Sequence, residues 1–180
     1  MRKYVAVLLL LFSASCGNDA VRQETAQSGP VKTQPTLSPE DNAKQVAGQT
    51  IYVPIYSHIY IRQRTRALNV TATLSIRNTD SEHPIRINAV RYYGSDGELV
   101  KDYAPQPFRL GTMASTEYVV EENDTAGGAG ANFIVEWSAS AEVTSPVVEA
   151  VMIGTVSQQG ISFISEGRVI KDRSTQPPNK

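Results

Sequence analysis

The alternation in residues 68–77 constrains this chain most. Leu68, Val70, Ala72, Leu74 and Ile76 fall on one parity and Asn69, Thr71, Thr73, Ser75 and Arg77 on the other. Successive side chains of a strand point to opposite faces, so the stretch has one face in a core and one in water. The same period begins at residue 50, where Ile51, Val53, Ile55, Ile59 and Ile61 alternate with Tyr52, Tyr56, His58 and Tyr60. Pro54 lacks an amide hydrogen, which implies an edge position or a bend between a pair of strands. Residues 78–84, NTDSEHP, form a turn, and further strands are expected at 85–93, 98–103, 108–110, 116–121, 132–139, 146–156 and 160–170. Gly94-Ser95-Asp96-Gly97 is a strong hairpin signal. Tyr92 and Tyr93 shift the apolar parity set by Ile85, Ile87 and Ala89, a shift that a bulge explains. No amphipathic helical stretch intervenes. The pattern predicts an all-β fold, an antiparallel β-sandwich of about eight strands with immunoglobulin-like topology.

The amino terminus reads differently. Arg2 and Lys3 precede an apolar run at residues 5–12, then Ser13-Ala14-Ser15 and Cys16, the one cysteine in the chain. A cationic start, a short apolar core and small residues before a processing point are the layout of a secretory signal. The run is too short to cross a bilayer, which needs about 20 apolar residues. Residues 8–16, LLLLFSASC, resemble the lipobox of bacterial lipoproteins, although Ser13 stands where that motif usually has Leu. The resemblance implies that residues 1–15 are a signal peptide and that Cys16 is acylated as the first mature residue. Fatty acyl chains such as palmitate would then be the membrane anchor, two or more of them being needed for a stable hold. Gly17 follows Cys16, so the Asp that retains some lipoproteins at the inner membrane is absent. The expectation is an exported, periplasm-facing protein, with the outer membrane preferred where the cell has one.

Residues 16–48 are polar, rich in Gln, Thr, Ser and Pro, and carry no sustained period. Such a segment cannot bury enough surface to offset its ordering entropy. It is expected to be a flexible tether with a reach on the order of 30 Å. Residues 49–172 form one domain, followed by a disordered tail at 173–180. With Cys16 committed to lipid, disulfides within the chain and cysteine-based metal sites are excluded. The formal net charge is -1, and losing Arg2 and Lys3 leaves 15 basic against 18 acidic residues. That balance disfavours nucleic acid, whose backbone demands clustered cations.

Residues 119–137, VVEENDTAGGAGANFIVEW, and 148–170, VEAVMIGTVSQQGISFISEGRVI, are similar to a bacterial family catalogued as domain of unknown function 3124, which has signal-bearing members. The similarity spans roughly residues 51–170. It implies no activity, because none is established for that family.

The candidate binding surface comes from parity. Tyr52, Tyr56 and Tyr60 are followed in the same register by Arg62, Arg64 and Arg66, an aromatic-then-cationic stripe if the strand stays extended. Tyr and Arg are favoured at binding hot spots, though they also serve as packing and as charged guards of a sheet edge. Glu121, Glu122 and Asp124 lead into Gly127, Gly128 and Gly130, a weak candidate for Ca²⁺ because a hard cation takes carboxylate and carbonyl oxygens. The spacing fits no established calcium loop, and a solvated turn is the simpler reading. A phosphate cradle is disfavoured, because it needs a helix after the glycines and a nearby Lys, and a strand follows here. His58 and His83 have no carboxylate at metal-ligand spacing, Ser95 is a hairpin tip, and Glu136 faces away from Phe133, Val135 and Trp137. The residues therefore favour a non-catalytic, lipid-anchored binding or scaffold module for an envelope protein or glycan, with a calcium-dependent or hydrolytic domain centred on residues 121–130 as the alternative.

Overall fold

The computed structural model describes residues 44–61, 66–156 and 159–173. The leader, Cys16, the tether as far as residue 43, Arg62, Arg64 and tail residues 174–180 lie outside the described residues.

The chain is all-β and antiparallel, with twelve strands among the described residues. The first six are β1 (Ala47–Pro54), β2 (His58–Tyr60), β3 (Ala67–Asn69), β4 (Thr71–Arg77), β5 (Ile85–Tyr93) and β6 (Leu99–Asp102). They are followed by β7 (Phe108–Leu110), β8 (Ser115–Val120), β9 (Asn132–Ala139), β10 (Val147–Val156), β11 (Gln159–Glu166) and β12 (Arg168–Asp172). One sheet runs β12-β1-β9-β5-β6, and β7 also pairs with β5. A second runs β11-β10-β4-β8, and β2 pairs with β3 as a separate ribbon.

Alternation explains why the two large sheets share one core. Ile51, Val53, Phe133, Val135, Ile87, Val90 and Tyr92 from the first sheet join Leu74, Ile76, Val120, Ala150 and Met152 from the second in a single cluster of buried side chains. Each of those positions has an outward neighbour, which leaves the opposite face of each sheet for polar groups.

Three of the nine expected stretches are each broken in two, which gives the twelve strands. Pro54 closes β1, and Ser57, fully buried, turns the chain away. Ser57 donates both its amide and its hydroxyl to the Gly128 carbonyl, at 3.1 and 3.0 Å, and accepts the Val70 amide on its own carbonyl, which separates β3 from β4. The third break is at Gly167, where the chain leaves β10 in one sheet to join β1 in the other. The Gly167 amide donates to the Val148 carbonyl at 2.8 Å, and a Cβ there would lie 2.7 Å from both that oxygen and Ile51 Cγ2. The expected bulge appears at two places: the register of β5 slips against β9 between Ile87 and Ala89, and against β6 between Tyr92 and Tyr93.

Two polar fastenings hold the loops. In the turn after β4, Asn78 is 2% exposed, and its amide nitrogen donates to the carbonyls of His83 and Gly111, both at 2.9 Å. Asp80 accepts the backbone amides of Glu82, His83 and Thr144 at 2.9, 2.7 and 2.9 Å. Those amide hydrogen bonds, from Thr144 first, hold the carboxyl down to about 2, well below its ordinary 3.8. At the other end, Ser95 ties the glycine-rich loop to the β5–β6 turn. Its hydroxyl donates to the Gly127 carbonyl and accepts the Gly130 amide, both at 2.8 Å. Gly127 lies against the hydroxyl end of Tyr92, so a Cβ there would collide with the Tyr92 hydroxyl and sit 2.8 Å from Ala131 Cβ.

Asp80→Asn tests the first fastening. A depressed folded pKa contributes stability that is full above the unfolded value near 3.8 and is lost as pH falls through about 2. Urea titrations should show the wild type more stable than the variant at neutral pH, the difference shrinking between pH 4 and pH 2. A constant difference across that window would contradict the assignment. For the second fastening, Gly127→Ala should lower stability by about 1–3 kcal/mol through overpacking against Tyr92, seen as a lower urea midpoint at unchanged slope.

Candidate binding surface

The outer face of the six-stranded sheet carries a concentration of arginine drawn from several strands. Because Ile51, Val135 and Ile87 point inward, Gly48, Thr50 and Tyr52 of β1, Ile134, Glu136 and Ser138 of β9, and Arg86 and Arg91 of β5 point outward. Across the β1–β12 pair, Thr50 faces Lys171 and Tyr52 faces Arg168. Glu136 is the anionic centre. Its two carboxylate oxygens take Arg91 Nη1 at 3.0 Å and Arg173 Nη2 at 3.3 Å, and Arg91 Nε also lies 3.8 Å from Asp102. One residue pair further along, Asn88 Nδ2 donates to Ser138 Oγ at 3.0 Å. Gln45, Gly48, Arg86, Asn88, Ser138 and Arg173 are among the residues that line a recess of about 340 Å³ there.

The expected aromatic-cationic stripe is distributed over three places. Tyr52 is half-buried on the face just described. Tyr56 sits in the link after β1, edge-on to Phe163 with ring centroids 5.7 Å apart. Tyr60 is 53% exposed on β2, its hydroxyl 3.3 Å from His58 Nε2. Arg66 is exposed, and its carbonyl accepts the Ile61 amide. The parity that joined Tyr52 to Tyr60 is interrupted at Pro54 and Ser57, so β1 belongs to a large sheet and β2 only to the ribbon.

The acidic loop is a turn supported from below by aromatic rings. The Asp124 carboxylate accepts the Ala126 amide at 3.1 Å, and the Asp124 amide donates to the Glu121 carbonyl at 2.9 Å. Beneath it, burial pushes Tyr92 up to about 12 and also raises Tyr103, with the charge of Asp124 adding to both. Glu121, Glu122, Asn123 and Asn69 line an open recess of about 390 Å³. Among the described residues, no group of three or more His, Cys, Asp or Glu is placed to hold a metal ion.

The titratable residues weighed for catalysis have structural partners. His83 Nδ1 lies 3.6 Å from Asp80, whose oxygens already hold three amides; His58 pairs with Tyr60; and Ser95 fastens the glycine-rich loop. Glu136 does face outward, as its alternation implies, but its side chain is only 22% exposed between two arginines. Sequence reading missed Arg86, Asn88, Arg91, Ser138 and Arg173, because they assemble from separate strands. For Arg86 and Arg91 the signal was their place on the outward parity of β5; Ser138 of β9 and Arg173, after β12, carried none.

No curated protein matches the chain. Among solved structures, the chain is similar to the crystal structure of Thermotoga maritima 1070 at a TM-score of 0.39 and 11% identity, covering 67% of this chain and 92% of that one. A family model described as protein of unknown function matches residues 48–170, which take in both large sheets and the fastened loops between them. The chain therefore belongs to the family DUF3124.

Proposed function

We propose that this protein is a lipid-anchored, non-catalytic recognition module of the bacterial envelope, an immunoglobulin-like sandwich tethered through acylated Cys16. The observation that carries the recognition reading is the outer face of the six-stranded sheet, where Arg91 and Arg173 converge on Glu136 beside a recess bounded by Arg86. Arginine presents planar donors suited to carboxylates, phosphates and polar protein surfaces, and a sheet face holds them at fixed spacing. The sandwich assignment is supported by the single core that both large sheets supply. The non-catalytic assignment is supported by the structural partners that His58, His83, Ser95 and Glu136 have. The anchor is supported by the lipobox-like residues 8–16. Placement follows from the anchor: the periplasm-facing side of a membrane, the outer one where present.

Cross-linking of native envelopes tests this reading. The wild type should give higher-mass adducts and partition into detergent. Arg168→Glu with Lys171→Glu, both exposed on that face, should lose the adducts yet stay with detergent, and Cys16→Ser should move to the aqueous phase. Undiminished adducts from the double variant would remove this surface from the function. A second reading, calcium dependence, rests on the oxygen-lined recess at Glu121, Glu122 and Asn123 beside Asp124. The recognition reading expects no change in Tm at millimolar calcium, and a clear rise would transfer the function to that loop.

A further inference from the structure

We propose that the recess over Gly48 and Ser138 binds one anionic oxygen group, a carboxylate or a phosphate, carried on a small hydroxylated molecule. The inference deepens the recognition reading and rests on it.

The recess is a row across the sheet. The Arg173 amide donates to the Gly48 carbonyl at 2.8 Å, Gly48 pairs with Ser138, and Ser138 pairs with Arg86. Neighbouring strands lie about 4.8 Å apart, so the two arginine backbones flank a gap of roughly 14 Å. Between them the floor is low because its two residues are small. Gly48 has no side chain, and a Cβ there would lie 2.8 Å from the Trp137 carbonyl and 3.3 Å from Ser138 Cβ. Ser138 is 9% exposed. The recess lined by these residues has a volume of about 340 Å³, near the lower limit of small-molecule sites.

Its donors point to an anion. Ser138 Oγ accepts from Asn88 Nδ2 at 3.0 Å, which leaves its own proton to donate. Arg173 uses Nη2 on Glu136, its side chain is 56% exposed, and the residue lines the recess. Arg86, on β5, lines the opposite side of the recess. No carboxylate lines the recess among the described residues, and Glu136, one pair away, is neutralised by Arg91 and Arg173. Guanidinium forks take carboxylate and phosphate oxygens in pairs, and a polar floor suits hydroxyl groups beside them.

Calorimetric titration of the detergent-solubilised full chain tests the site, using inorganic phosphate, glucuronate and glucose. Phosphate or glucuronate should bind saturably and more weakly as salt rises, whereas glucose should not bind. Arg86→Gln and Arg173→Gln should each weaken binding about tenfold or more, and Arg66→Gln, an exposed arginine on the β2–β3 ribbon, should leave it unchanged. Should Arg86→Gln fail to fold, the more exposed Arg173→Gln alone carries the test. Binding of phosphate only identifies a tetrahedral headgroup or ester; binding of glucuronate only identifies a sugar acid. No saturable binding of either anion, equal binding of glucose, or Arg173→Gln binding as the wild type overturns the proposal. Loss of anion binding with cross-linked adducts intact sinks this site and leaves the recognition module standing. Anion binding without adducts does the reverse.

Discussion

Everything in this molecule follows from the two-residue repeat of the pleat. An inward Ile51, Val135 or Ile87 forces its neighbour outward, so one strand contributes to the core and to the surface in fixed proportion. Two sheets that both turn apolar faces inward have a single way to remove them from water together, and the shared cluster is the result. The surface chemistry is then a by-product of the same register. A slip of one residue in β9 would bury Glu136 and expose Trp137, so the ion pairs of Glu136 depend on the core being correct.

Local pattern was enough to locate the elements. The 68–77 alternation, the Gly94–Gly97 turn and the apolar runs of β5, β9 and β10 correspond to strands with nearly the expected limits. The breaks were harder to see because each depends on a partner remote in sequence. Ser57 bends the chain for the sake of a carbonyl 71 residues later, and Gly167 is required by Ile51 and Val148 on either side of it. The β5 bulge was legible as a change of parity, but Asn88 rather than the tyrosine pair marks where β9 loses register. The binding surface was least legible. Tyr52 through Arg66 looked continuous in one dimension and is divided in three, while Arg86, Arg91 and Arg173 looked unrelated and share one face.

The loops show how a chain without disulfide cross-links fixes long connections. Asn78 and Asp80 at one end and Ser57 and Ser95 at the other each satisfy several backbone groups with one small polar side chain. Buried amides and carbonyls need such partners, since leaving them unpaired in an apolar setting is costly. The glycine-rich loop, which at first sight suggests an ion or phosphate site, is occupied with this task, its carbonyls and amides engaged by serines, with Gly127 against Tyr92 and Gly128 and Gly130 against Ser95.

The crossing at Gly167 has a bearing on how the protein is made. A single segment, residues 159–172, closes the free edge of β10 in one sheet and, after Gly167 alone, the free edge of β1 in the other. Neither margin is sealed until the final stretch has emerged from the ribosome, so a chain still being synthesised presents two open hydrogen-bonding borders at once, and the finished one presents neither.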